Sequence, residues 1–159
     1  MEIERKFLVG SAAPDLSRCP SAFLRQGYLA VGPSGEVRVR DSDGRCTIAV
    51  KSHGGIAREE HEVAISREQF DALWPATHAR RVEKRRFVIR EKGHAYHIDL
   101  YAGRLAGLMT VEVEFETIDE ALAFDRPGWF GREITKNECY RNAVLALQGL
   151  PEDAEAAAG

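Results

Sequence analysis

Glu2-Ile3-Glu4-Arg5-Lys6-Phe7-Leu8-Val9 opens the chain with charged and apolar residues in near alternation. Successive side chains of a β-strand point to opposite faces. Read as a strand, this stretch places Glu2, Glu4 and Lys6 on one face and Ile3, Arg5, Phe7 and Val9 on the other. The same reading carries along the chain. Arg38 and Arg40 lie opposite Val37 and Val39, and Lys51 lies opposite Ile48 and Val50. Arg58, Glu60 and Glu62 share a side opposite Val63 and Ile65, and Lys84 and Arg86 lie opposite Phe87 and Ile89. Asp99 lies opposite Ile98 and Leu100, and Glu112, Glu114 and Glu116 lie opposite Val111, Val113 and Phe115.

Period-two alternation predicts strands over 2–9, 22–31, 36–41, 45–51, 57–65, 81–90, 95–101 and 109–117. Asp43-Gly44 is a favoured two-residue hairpin turn, and 91–94 supplies a second turn between strands. About eight strands are a closable number for a small barrel. Helices are few. Ser66 caps a helix running to Trp74 and ended by Pro75, Asp119 caps a short one to Phe124, and Asn137–Gln148 forms the last. Residues 1–150 read as one domain, with 151–159 a frayed Ala/Glu-rich tail.

The 22 Lys and Arg nearly balance 25 Asp and Glu, leaving a net charge of −3, which argues against a general nucleic-acid binder. No apolar run is long enough to span a membrane, and the first residues are unlike a signal peptide. A soluble cytoplasmic protein is expected. Cys19, Cys46 and Cys139 form no metal or redox motif and read as free thiols.

A charged strand face is ordinarily the solvated one. Here the apolar faces of the helices need a sheet to cover, and the apolar sides of the strands supply that surface. The charged sides then line the interior. A dry interior cannot hold so many ions, because each unpaired one costs several kcal/mol. The cavity must therefore be wet, with its charges meeting each other, metal and an anionic ligand. Carboxylates two apart on one face suit a hard cation with oxygen ligands, Mg²⁺ or Mn²⁺. The basic set, Lys6, Arg38, Arg40, Lys51, Arg58, Lys84 and Arg86, suits phosphate oxygens. Metal and many cations together imply a polyphosphate ligand.

Glu2-Ile3-Glu4-Arg5-Lys6 resembles the opening signature of the CYTH superfamily, the triphosphate tunnel metalloenzymes. The resemblance extends through Gln26-Gly27-Tyr28-Leu29, Val37–Arg40, Thr47–Lys51, Arg58 with Glu60 and Glu62, Lys84 with Arg86, and Glu112–Phe115. Trp129-Phe130-Gly131 and Tyr140-Arg141-Asn142 resemble the tail of the short bacterial members. It implies a mainly β fold: a closed eight-stranded antiparallel barrel, or tunnel, with a few helices packed outside. It also implies a first metal on Glu2, Glu4 and Glu114, and a second associated with Glu62, Asp99 and Glu112. The basic set would hold the triphosphate, and Tyr28 with Lys51 would act near the attacked phosphorus. Two positions depart from the pattern: His97 stands where an acidic residue is common, and Tyr96 replaces a frequent Trp.

The leading expectation is metal-dependent hydrolysis of inorganic triphosphate to diphosphate and phosphate. The alternatives are another enzyme of the superfamily (class IV adenylate cyclase, thiamine triphosphatase or nucleoside triphosphatase) and a non-catalytic polyphosphate or nucleotide sensor. Lys136 is expected on the solvated surface, and a homodimer is compatible with the resemblance.

Overall fold

The structure, a computed structural model, describes residues 1–154. Ten strands form one sheet, antiparallel at each pairing: β1 (Glu2–Val9), β2 (Ser21–Gly32), β3 (Gly35–Ser42), β4 (Arg45–Ser52), β5 (Ala57–Arg58), β6 (Glu60–Ala64), β7 (Arg81–Glu91), β8 (His94–Tyr101), β9 (Met109–Glu114) and β10 (Phe130–Glu133). The hydrogen-bonded order is β10-β1-β9-β8-β7-β2-β3-β4-β6, with β5 off this path and paired to β1. The elements that accompany them include three α-helices among the described residues: α1 (Arg67–Leu73), α2 (Ile118–Ala123) and α3 (Asn142–Gln148). No helix among the described residues is long and apolar enough to cross a membrane.

Two tight turns set the hairpin registers. Asp43 and Gly44, and again Lys92 and Gly93, have positive φ at both positions. That backbone twist matches the twist of the flanking strands. Ser42 then faces Arg45, and Glu91 faces His94.

The strand expected over 57–65 is two strands. At Glu59 the strand changes partner, from β4 on the β6 side to β1 on the β5 side, and Ser52 holds the junction: its hydroxyl accepts from the Glu59 amide at 3.0 Å, and its amide donates to the Glu59 carbonyl at 3.0 Å. β10 was not expected, because Gly128 and Gly131 flank its start and mask the alternation. The helix boundaries also move. α1 keeps its expected cap, with reciprocal bonds between Ser66 and Gln69 at 2.8 and 3.0 Å. α2 is capped by Thr117, whose hydroxyl accepts from the Glu120 amide, and not by Asp119. The expected helix over 137–148 is broken. A short 3₁₀ turn at Glu138–Tyr140 gives way to extended backbone at Arg141, and α3 starts at Asn142.

The core lies in three clusters. Phe7, Tyr96, Ile98, Val111 and Val113 pack against Phe115, Ala121 and Phe130, so α2 covers the apolar face of β1, β8 and β9. Val39 and Cys46 pack against Phe70 of α1. Both helices take the outside position expected of them. α3 does not. Its Ala143, Leu145 and Ala146 pack on Leu8, Tyr28, Val82 and Tyr101. Leu8 and Val82 lie two residues from Lys6 and Lys84, and Tyr101 pairs directly with Lys84, so these side chains share the charged face. α3 therefore plugs one end of that face. The expected frayed tail is tied at its start. Asp153 accepts from the Tyr140 hydroxyl at 2.8 Å and from Arg132 at 2.6 Å, while 155–159 lie outside the described residues.

Candidate active site

Residues directly opposite each other in an antiparallel ladder project to the same face. The register hands the charged face from strand to strand. Glu4 faces Glu114 and Lys6 faces Glu112. Glu112 faces His97, and Asp99 faces Arg86. Gln26 faces Arg40 and Tyr28 faces Arg38. Glu36 faces Lys51, which faces Glu60, and Glu2 faces Arg58. Glu116 leaves the set: it lies beyond the end of β9 and is exposed, as is Lys136.

These side chains enclose two adjoining cavities. The smaller, about 50 Å³, lies toward α3 and is lined by Lys6, Tyr28, Glu36, Lys51 and Arg141 among others. The larger, about 300 Å³, is lined by Glu2, Arg40, Glu62, Arg86 and Glu114. Glu4, Arg38, Lys51, Arg58 and Glu112 line both.

Glu2, Glu4 and Glu114 each bring a carboxylate oxygen to within 4.8 Å of the others. Three oxygen donors on separate positions of two strands fit a hard divalent cation. Burial raises the Glu4 carboxyl above its ordinary range, and the charges of Glu112 and Glu2 add to the effect. A bound cation would relieve that repulsion. Arg58 now bridges the pair, at 3.1 Å from Glu2 and 2.8 Å from Glu4, and Lys51 Nζ lies 3.0 Å from Glu2.

Two of the arginines, Arg40 and Arg38, are under-partnered. Arg40 forks onto a neutral amide: its Nε and Nη2 donate to Gln26 Oε1 at 3.1 and 3.0 Å. Burial, with Arg38 and Arg86 nearby, pushes its pKa down to about 10. Arg38 holds Glu60 at 3.2 Å, but its Nε is buried without a partner. Cations held together with unused N–H groups suit the oxygens of an anion.

Lys84 and Asp99 depart from expectation. Both side chains are 0% exposed, and neither lines the two cavities. Lys84 Nζ lies 2.7 Å from Asp99, and Arg86 grips both Asp99 oxygens at 2.7 and 2.8 Å. Asp99 is thus committed to two cations and Lys84 is sealed behind it, so phosphate contact by Lys84 and metal ligation by Asp99 lack geometric support. Burial works to raise the Asp99 pKa, but Arg86 and Lys84 outweigh it and hold it at about 2. Burial wins at Lys84, whose ion-pair partner Asp99 is shared with Arg86, and its pKa falls to about 7. Unfolded, Lys84 keeps a proton that the folded protein releases between about pH 7 and 10.5, so folding gains stability as pH rises through that window. The stability gap between wild type and Lys84→Met should move in favour of wild type over this range. Urea unfolding at several pH values checks it, and a parallel pH response of the two proteins refutes it.

Tyr28 is fully buried. Its hydroxyl accepts from Gln26 Nε2 at 3.1 Å, which leaves its own proton to donate, and burial raises its pKa so that it stays protonated. Lys51 is shifted the other way: burial lowers its pKa, with Arg38 and Arg58 adding to the effect against Glu2 and Glu4. Lys51 and Tyr28 share the smaller cavity. His97 faces inward, and its Nδ1 is buried without a partner.

Three residues without an assigned role in the sequence reading belong to the site. Gln26 links Arg40 to Tyr28. Glu36 is buried and accepts from Arg141 at 2.7 Å, fastening the backbone ahead of α3. Glu36 carries the same period-two signal as Arg38 and Arg40, so it was readable; Arg141 stands in the Tyr140-Arg141-Asn142 motif, but nothing local tells of its pairing with Glu36.

No family model matches the chain. Over 148 residues the chain is 45% identical to an inorganic triphosphatase of Nitrosomonas europaea, spanning 92% of this chain and 97% of that protein. The chain belongs to the inorganic triphosphatase family. An inorganic triphosphatase of Acetivibrio thermocellus is 33% identical over 147 residues, 91% of this chain and 92% of that protein. A crystal structure of an inorganic triphosphatase aligns with a TM-score of 0.71 at 43% identity, over 95% of this chain and 97% of that one. For a chain of this inorganic triphosphatase family, the feature to explain is the charged interior that the strand faces form.

Proposed function

We propose that this chain hydrolyses inorganic triphosphate to diphosphate and phosphate inside the charged cavity, with Mg²⁺ or Mn²⁺ on Glu2, Glu4 and Glu114. The observation that carries the reading is Arg40, a cation of the cavity wall whose only hydrogen-bond partner among the described residues is a neutral amide, in the same cavity as a cluster of three carboxylates. Such a pair of sites needs a ligand that is strongly anionic and comes with metal. We also read the sheet as a closed tunnel. The support is that β6 pairs with β4 while β5, one residue earlier, pairs with β1 at the opposite side of the order.

Bound metal supplies Lewis-acid stabilisation of charge on the phosphate oxygens. Arg38, Arg40, Arg58, Arg86 and Lys6 fix the chain for in-line attack, so catalysis is mainly positioning and electrostatics. Glu62 and Glu112 remain on the cavity wall as candidates for a second cation. Lys84 and Asp99 serve by holding Arg86. Tyr28 donates a hydrogen bond to the attacked phosphoryl group, and Lys51 orients the attacking water and takes its proton.

This division of labour predicts two kinetic classes. Tyr28→Phe and Lys51→Met lower kcat with little change in KM, whereas Arg40→Ala raises KM. Steady-state kinetics on purified variants checks it, and a single common pattern for all three contradicts it. The activity itself is tested by phosphate release from triphosphate, diphosphate, ATP and thiamine triphosphate with each metal. Release chiefly from triphosphate is expected. Binding of triphosphate without turnover under either metal overturns the reading.

A further inference from the structure

The charged cavity does not end at Arg40 and Arg86. A third cavity of about 350 Å³ shares Arg40, Glu62 and Arg86 with it and continues past Thr47 and Ser42 to Arg45. Arg45 is on the inward face by register: it pairs with Ser42, two residues from the Arg40–Thr47 couple. It is exposed and makes no ion pair among the described residues. The acids near it are engaged, Asp41 by Arg25 and Arg67, and Glu62 by Arg38 at 3.8 Å. Arg45 is thus a free cation in line beyond Arg40 and Arg86.

Direction matters. α3 plugs the face at Leu8, Tyr28, Val82 and Tyr101, and Tyr28 and Lys51 line the small cavity at that end. On the reading proposed above, the terminal phosphate that is cut lies at the plugged end, and the leaving portion points toward Arg45. We infer that the Arg45 cavity is a subsite for a fourth phosphate, so that linear inorganic tetraphosphate is also a substrate and Arg45 sets its affinity. In that reaction water forms the new bond to the terminal phosphorus and the adjoining P–O anhydride bond breaks. Triphosphate leaves with the bridging oxygen, and the water's proton passes through Lys51 to solvent. A nucleoside in place of the fourth phosphate is disfavoured, because Ala22, Leu24 and Val88 supply the apolar wall and no aromatic ring among the described residues offers a stacking face.

The test compares kinetics on triphosphate, tetraphosphate and ATP for wild type, Arg45→Ala and Arg45→Glu at saturating Mg²⁺. Arg45→Ala should raise KM for tetraphosphate about tenfold, the worth of one charge-assisted contact, and Arg45→Glu more. Triphosphate kinetics should stay within about twofold on the same reasoning, which also shows the variants are folded. The inference is overturned if wild type hydrolyses triphosphate but not tetraphosphate, if both substrates shift equally, or if ATP alone responds. A wild-type protein that hydrolyses neither inorganic chain overturns the parent reading as well.

Discussion

Glu4→Gln should lower triphosphate turnover by about two to three orders of magnitude, the usual cost of losing one key electrostatic contact in a site of this kind. Glu4 stands at the centre of the carboxylate cluster. It faces Glu114 across the β1–β9 ladder, shares Arg58 with Glu2, and lines both cavities. Glutamine keeps the shape and removes the charge, so the loss reports electrostatics and not packing. Calorimetric titration of Mn²⁺ gives a readout independent of turnover: its affinity should fall in parallel. The variant should fold at least as well as wild type without metal, because it loses a carboxylate that Glu2 and Glu112 repel. Unchanged Mn²⁺ affinity would remove Glu4 from the metal site.

Asp99→Ala should be the most destabilising change of a single charged residue in the cavity wall. Removing one partner of a buried ion pair costs about 3–5 kcal/mol, because the other charge stays buried without compensation. Here two cations, Lys84 and Arg86, lose their shared anion, and only Arg86 has Glu112 at 3.0 Å to fall back on. For a chain of this length each kcal/mol shifts Tm by roughly 2–4 °C, so a drop on the order of 10 °C is expected. The sign with pH follows from the depressed pKa. The stabilisation by Asp99 is complete above its unfolded value near 4, and is lost as pH falls from there through about 2. Wild type and Asp99→Asn should therefore converge in stability at the acid end. Scanning calorimetry decides both points, and an Asp99→Ala protein that melts within a degree or two of wild type would show the buried pair to be dispensable.

The alternation in Glu2–Val9, Val37–Arg40 and Val111–Glu116 carried much of this site, since face membership follows from parity alone. Depth does not. Lys84 and Arg86 have the same parity, yet Lys84 is sealed against Asp99 while Arg86 reaches the cavity. The difference lies in the β7–β8 register and in Tyr101 opposite Lys84, neither of which is a property of β7 alone. The change of partner at Glu59 was hidden because Arg58, Glu60 and Glu62 keep their parity across it, and Ser52 bonds both the amide and the carbonyl of Glu59. Placing α3 over the inward face required knowing that Tyr28, Val82 and Tyr101 gather at one end, a long-range fact. The extended backbone at Arg141 that sets the start of α3 depends on Glu36, some hundred positions away in sequence.

Phosphorus NMR of triphosphate mixed with the purified protein is the direct measurement of metal-dependent hydrolysis in this cavity. With Mg²⁺ or Mn²⁺ at low occupancy, triphosphate resonances should give way to diphosphate and phosphate in equal amounts, and excess chelator should stop the conversion. Triphosphate that persists with metal present, or disappears as fast in chelator, would contradict it.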